Sequence, residues 1–332
     1  MWKLGQHLLV CGDCTDSKVI ERVTEGKKVD LVVTDPPYGM KKKSVEGDNM
    51  NSRDLLEFGK MWIPMSFKVL KDNGSWYCWG NDTQLMDIYA DILRPMIADN
   101  ICTLKNLITW DKGAGQGQLS NATRQFARAD EKALFVMMGV QEASTNADNY
   151  YEGWEPIRKY LDEEMRKCGG SKNWHKALGN QMGKHYFTRS QWLFPTEENY
   201  KKLQDFGQHY GAFRAEYETL RAEWYASRAF FDNLHDNMNN VWHFLPTSRT
   251  ERALCGGHET PKPVALCERC VKSSSREGET VLDLFGGSGS VLVACERTRR
   301  KCRMIELMPK WCDVIVHRYE YITGERAKLI RG

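Results

Sequence analysis

The chain has no run of about 18 apolar residues, so nothing in it reads as a membrane-spanning helix. Its first residues, Met1-Trp2-Lys3-Leu4, lack the pattern of a secretory signal, and the expectation is a cytoplasmic protein with no membrane partner. Strong charge of either sign is missing too: 47 Lys and Arg stand against 44 Asp and Glu, a net charge of +3 and a pI near 8.2. That balance excludes a histone-like binder, so any affinity for phosphates must come from a local patch. The 11 cysteines are odd in number and scattered through apolar segments, which suits reduced thiols rather than a disulfide framework.

Two nucleotide fingerprints are absent as well. The apolar run Val281-Leu282-Asp283-Leu284 leads into Phe285-Gly286-Gly287-Ser288-Gly289, followed by Val291-Leu292-Val293-Ala294. Counting from Gly287, the third glycine of G-x-G-x-x-G would fall on Leu292, and no Gly-Lys-Ser/Thr follows, so neither the dinucleotide pattern nor a P-loop is present. What remains is a strand, a glycine-rich turn and a helix, the arrangement that lets a nucleotide approach the backbone of an α/β sheet. Glu306 comes after the apolar stretch Cys302-Arg303-Met304-Ile305, about one βαβ step on, where an acid can take both hydroxyls of a ribose. The ligand reads as a nucleoside without a pyrophosphate.

The stretch that is most distinctive is Leu31-Val32-Val33-Thr34-Asp35-Pro36-Pro37-Tyr38-Gly39. A β-branched run breaks into an acid, two prolines and an aromatic, which predicts a buried strand with a rigid end. Asp35 would be a stiff acceptor beside the Asp35 and Pro36 carbonyls, with Tyr38 offering a flat face, a set suited to a planar amino group. By itself the stretch is equally readable as a strand-to-turn junction with a satisfied acid.

Together, Asp35-Pro36-Pro37-Tyr38 and Phe285-Gly286-Gly287-Ser288-Gly289 resemble the S-adenosylmethionine-dependent DNA amino-methyltransferases, and their order resembles the beta group of that family. The likeness covers roughly the first 140 residues and the last 80, including His258-Glu259-Thr260-Pro261-Lys262-Pro263. It implies a Rossmann-like α/β methyltransferase fold, a central mostly parallel sheet flanked by helices, with a mainly helical target-recognition insertion. It implies S-adenosylmethionine as cofactor, near Asp13, Asp283, Phe285, Gly287, Ser288, Gly289, Glu306, His258, Thr260 and Lys262, and Asp35, Pro36, Pro37 and Tyr38 as the catalytic set. It implies duplex DNA as partner, with a homodimer and a cognate restriction endonuclease as further expectations. Adenine N6 is the expected acceptor because Asp in the first position is commoner among adenine enzymes; cytosine N4, an RNA substrate and an inactive DNA-binding homologue stay open.

Composition divides the chain into 1–141, 142–246 and 247–332, a split catalytic domain around an insertion. In the first part, a strand ending at Gly12-Asp13 precedes a helix over 17–24 with Asp16 or Ser17 as cap. Lys41-Lys42-Lys43 with Gly47-Asp48-Asn49 reads either as a mobile loop able to touch phosphates or as solvated charge. Helical spacing over 52–70, a turn at Asn73-Gly74, a strand over 75–79, a helix over 84–96 and strands over 107–112 and 133–138 follow. Between the last two lies Gly113-Ala114-Gly115-Gln116-Gly117, and the resemblance puts the target base near Lys112.

In the insertion, a helix over 157–168 precedes two short helices around Gly179 and another capped by Thr196, which resembles a helix-turn-helix; the alternative is a helical insertion with its own aromatic core. Lys172, Lys176, Gln181, Lys184, His185, Arg189 and Gln191 would lie near a groove. An amphipathic helix over 208–230 would carry Arg214, Arg221 and Arg228 on one side, tracking phosphates or simply solvated. Cys255-x-x-His258 and Cys267-x-x-Cys270 have zinc-like spacing, but the resemblance claims His258 and a helix claims the second pair, so no metal is expected.

Overall fold

A computed structural model describes residues 1–42, 45–113, 128–141, 152–170, 173–179, 182–232, 234, 237 and 239–330. They form two compact units, one of Met1–Met138 with Phe230–Gly332 and one of Gly139–Ala229.

The first unit is an α/β sheet domain. In chain order its opening half holds β1 (Trp2–Leu4), β2 (His7–Cys11), α1 (Ser17–Thr24), β3 (Val29–Thr34), α2 (Ser52–Lys68), β4 (Leu70–Gly80), α3 (Asp82–Ile88), α4 (Arg94–Ala98), β5 (Cys102–Asp111) and β6 (Asp130–Met138). The sheet runs in the order β10-β1-β2-β9-β8-β3-β4-β6-β5-β7, where β7 is Val241–His243, β8 Thr280–Asp283, β9 Lys301–Glu306 and β10 Lys328–Leu329. From β2 to β4 all neighbours are parallel, and antiparallel pairs extend the sheet on both sides. Parallel strands need cover on both faces, and the β-branched run of β3 meets that need: Leu31, Val32, Val33 and Thr34 are all buried.

Local chemistry explains the helix starts. Asp16 caps α1 by accepting from the Lys18 N–H, and Asn51 caps α2 by accepting from the Asp54 N–H. The helix expected over 84–96 is broken: α3 passes through a π-helical turn, Tyr89–Leu93, before α4. The turn expected at Asn73-Gly74 lies inside β4, where pairing with β3 slips between Val29 and Leu31. A Cβ on Gly74 would come within 3.0 Å of the Asp30 carbonyl oxygen, so the chain there needs glycine.

The second unit has its own core. In it α5 (Glu155–Lys167), α6 (Trp174–Leu178), α7 (Glu197–Gly207) and α8 (Tyr217–Ala226) bury Trp154, Leu161, Met165, Tyr200, Leu203 and Phe213 together. Thr196 caps α7 through the Asn199 N–H. Three expectations are corrected. The insertion ends at Ala229, since the chain after it returns to the sheet and Val241–His243 pairs with β5. Beyond Gly179 the chain forms a 3-10 turn, Met182–Tyr186, where a helix-turn-helix needs a second α-helix. No helix spans 208–230: Gly211 and Phe213 take positive φ, and Glu164 accepts from the Phe213 N–H, so Arg214 and Arg228 lie outside α8. Arg228 instead places its guanidinium 4.7 Å from the Trp224 ring centroid.

In the first unit α9 (Arg249–Ala253), α10 (Val264–Ser274), α11 (Ser290–Arg297) and α12 (Pro309–Thr323) complete the layers on the sheet. Among the described residues no helix is long and apolar enough to cross a membrane, and no group of His, Cys, Asp and Glu could hold a metal ion.

Candidate active site

Strands β3 and β8 are parallel neighbours, with Leu31 opposite Val281 and Val32 opposite Leu282. Asp35-Pro36-Pro37-Tyr38 therefore leaves the sheet beside the glycine-rich turn that follows Asp283, and the Thr34 hydroxyl reaches Asp283 at 3.5 Å. A cleft of about 990 Å³ opens over these strand ends. Its lining joins Asp35, Tyr38, Phe285, Glu306, His258 and Trp311.

The tetrapeptide is held from behind. Gln84 donates to the Pro37 carbonyl at 2.8 Å and Asn81 to the Tyr38 carbonyl at 2.9 Å, while the Pro36 carbonyl has no partner among the described residues. Asp48, 3 % exposed, accepts from the Tyr38, Gly39 and Lys42 N–H groups at 2.8 Å each. The stretch expected either as a mobile loop or as solvated charge is thus tied to the segment that follows β3 by a buried carboxylate; Lys43 lies outside the described residues.

Asp35 accepts on Oδ1 from the Tyr38 hydroxyl and on Oδ2 from Lys262 Nζ at 2.7 Å. Lys262 Nζ is also 3.0 Å from the Tyr38 oxygen and 3.1 Å from Glu131 Oε2, and the other Glu131 oxygen accepts from Lys112. Burial pushes the Asp35 carboxyl up, against the pull of the Lys262 ammonium. Burial pulls Lys262 down, but the Asp35 and Glu131 carboxylates outweigh it and hold the group charged. For Glu131 the two lysine ammoniums outweigh burial and keep it below the ordinary carboxylate value. Lys262, grouped by sequence with the cofactor residues, lines the same cleft and sets its ammonium against Asp35 and Glu131, where the buried negative charge lies. Lys112, expected near the target base, also lines the cleft and rests 4.8 Å from the Trp110 ring centroid.

On the other side of the cleft, Glu306 ends β9 and accepts from the Gly287 N–H at 2.7 Å and the Met308 N–H at 2.8 Å. Burial pushes its carboxyl up, and pushes Asp283 up to about 8. Gly287 and Gly289 have φ of +50° and +81°, and a Cβ on Gly287 would stand 3.2 Å from His258 Nε2. His258 accepts on Nδ1 from the Thr260 N–H and packs edge-on against Trp311; burial brings it down to about 4, so the ring is neutral. Phe285 sets its ring edge-on to Trp62. Asp13 accepts from the Thr15 N–H and hydroxyl at 2.8 Å through one oxygen. Ser288 gives its carbonyl to the buried Arg318 at 2.9 Å. The donor set fits S-adenosylmethionine: acids for ribose hydroxyls and a sulfonium, aromatic walls for a purine, and bare glycine backbone for close approach.

Sequence reasoning missed Glu131, Asp48, Arg318 and Trp311. Glu131 sits in Asp130-Glu131-Lys132 at the start of an apolar run and looks like an ordinary charged strand edge; none of the four stands in a motif. Of the residues expected to meet DNA, Lys176 and Lys184 are exposed in the second unit, Arg189 lies 3.3 Å from Glu155, and Lys172 and Gln181 fall outside the described residues, as do 114–117. Cys267 and Cys270 lie buried on α10, with burial pushing both thiols up.

A mixed sheet with a parallel centre, whose adjacent strand ends carry an acid-Pro-Pro-Tyr corner and a glycine-rich turn, has the architecture of an α/β methyltransferase. Residues 29–317 match the DNA methylase family of N6 and N4 amino-methyltransferases, and the chain belongs to that family, whose methyl donor is S-adenosylmethionine. It is 31% identical over 308 residues to the type II methyltransferase M2.DpnII of Streptococcus pneumoniae, covering 89% of this chain and 83% of that one. With the type II methyltransferase M1.MboII of Moraxella bovis it shares 25% identity over 89% and 88% of the two chains. The fold resembles that of PvuII DNA methyltransferase (cytosine-N4-specific), with a TM-score of 0.51 at 14% identity over 95% of this chain and 89% of that one.

Proposed function

We propose that this DNA methylase transfers a methyl group from S-adenosylmethionine to the exocyclic N6 of an adenine swung out of duplex DNA. The observation that carries the reading is that Asp35 and Pro36, whose carbonyl has no partner among the described residues, line the cleft together with the glycine-rich turn.

An exocyclic amine is a poor nucleophile because its lone pair is delocalised into the ring, and in a duplex it is also paired and stacked. Extrusion costs a few kcal/mol, part of which stacking on Tyr38 returns. Asp35 and the Pro36 carbonyl accept the two amino hydrogens and so localise the lone pair. Bound S-adenosylmethionine supplies an electrophilic methyl on a sulfonium. Glu306 and Asp13 hold its sugar and adenine ends, and Asp283, Phe285, Gly287, Ser288, Gly289, His258 and Thr260 shape its pocket. Asp35 receives the proton shed by the methylated amine, and the rigid corner makes catalysis chiefly a matter of positioning. The same reading makes the second unit a target-recognition insertion, with Lys176, Lys184 and Arg189 toward DNA, and gives the protein a cytoplasmic place, a cognate restriction endonuclease and self-association as partners to look for.

The test is to incubate DNA with the protein and labelled S-adenosylmethionine, then separate the nucleosides. N6-methyladenine is expected; N4-methylcytosine would replace the acceptor, and no modified base, or label taken up by competing RNA instead, would overturn the proposal. Asp35→Ala should lose methyl transfer by at least about 10²- to 10³-fold while still binding DNA.

A further inference from the structure

The corner that is to grip an amine already grips one of the chain's own. Lys262 Nζ lies 2.7 Å from Asp35 Oδ2 and 3.0 Å from the Tyr38 hydroxyl oxygen, and it faces the rings of Tyr38 and Trp79 at 5.1 and 5.8 Å from their centroids. The other Asp35 oxygen is taken by the Tyr38 hydroxyl. A target amine needs the same carboxylate oxygen, and its base needs the same aromatic face. Ammonium and base cannot share that position, so Lys262 must yield when the base enters.

Where it can go is limited. Its side chain is 8 % exposed, and a buried cation cut off from its counter-charge costs several kcal/mol. Glu131 Oε2 already lies 3.1 Å from the same ammonium, and Lys112 fixes the opposite Glu131 oxygen, so a small rotation at the end of the Lys262 side chain releases Asp35 while the ammonium stays on Glu131. Resting on the amino-methyltransferase reading above, we infer that Glu131 is a positioning residue that retains the Lys262 ammonium when the target amine displaces it from Asp35. Lys262 then serves as a stand-in for the amine, keeping the corner paired until a better-placed amine arrives.

The inference makes the effect of Glu131 conditional on Lys262. In methyl-transfer assays on DNA, Glu131→Gln should raise KM for DNA about tenfold with little change in kcat, since the ammonium loses the carboxylate that retains it. Lys262→Met should lower KM, and adding Glu131→Gln in that background should change nothing. Unchanged S-adenosylmethionine affinity in all three variants serves as the check on folding. A 2-aminopurine placed at the target adenine, once mapped by methylation, should fluoresce more with Lys262→Met than with wild type. Equal KM effects of Glu131→Gln in both backgrounds, or weaker fluorescence with Lys262→Met, would overturn the displacement while leaving wild-type methylation, and with it the proposed function, standing. A wild-type protein that methylates no DNA would instead remove the function itself.

Discussion

Asp283 shows what the fold asks of one side chain. Burial pushes its carboxyl up to about 8, with the Phe285 N–H and Thr34 hydroxyl pulling the other way and Asp35 and Glu306 adding to the rise. In the unfolded chain the same group titrates near ~3.9. The unfolded chain therefore sheds this proton first, and the group's contribution to stability is complete below about pH 4 and lost as pH rises through about 8. His258 has the opposite sign: its ring falls to about 4, so stability is present above about 6.5 and lost as pH drops through about 4. Asp283→Asn keeps an acceptor oxygen for the Phe285 N–H and removes the titration. Urea unfolding at about pH 5 and about pH 9 should show the variant gaining on wild type at the higher pH. Parallel behaviour at the two pH values would show that the carboxyl is not held protonated.

The segment after Tyr38 depends in the same way on one buried acid. Asp48→Ala would strip the acceptor from three N–H groups, each costing about 1–3 kcal/mol if left buried and unpaired, so the segment should detach and take the position of Tyr38 with it. Methyl transfer is expected to fall by roughly tenfold or more with S-adenosylmethionine affinity kept, and Asp48→Asn should be intermediate because one oxygen still accepts from Tyr38 and Gly39. Steady-state rates and cofactor titrations of the two variants check this. Gly47-Asp48-Asn49 has no periodicity, and its role comes from bonds to residues six to ten positions earlier, so the sequence could show only a polar loop. Over 208–230 the opposite error arose: Tyr210, Phe213, Tyr217, Leu220 and Trp224 fall at helical steps, yet Phe213 dives into the core and breaks the helix. A stripe reports which residues are buried, not that one element buries them. Strands β3 and β8 were legible because their apolar runs are short, flanked by turn residues and buried throughout.

At the scale of the whole molecule, the sequence indicated that two distant motifs should meet, but not which strands would lie between or beside them. Lys262 and Asp35 are 227 positions apart, and only the completed sheet puts ammonium on carboxylate. The return of Val241-Trp242-His243-Phe244 toward the first unit was legible from its apolar and aromatic residues, but its pairing with β5 was not, since three residues carry too little pattern to name a partner strand.

Because β1 pairs with β10 and the Met1 carbonyl accepts from the Ile330 N–H at 2.8 Å, the first and last described strands are neighbours at one edge of the sheet. Linking β10 to β1 with a few glycines and opening the chain at Gly278 would put the glycine-rich turn ahead of Asp35 in the new reading direction while breaking no strand. Such a circular permutant should methylate DNA within about tenfold of the parent rate. Whether the donor pocket or the acceptor corner is translated first would then be a matter of genealogy, with no bearing on the chemistry.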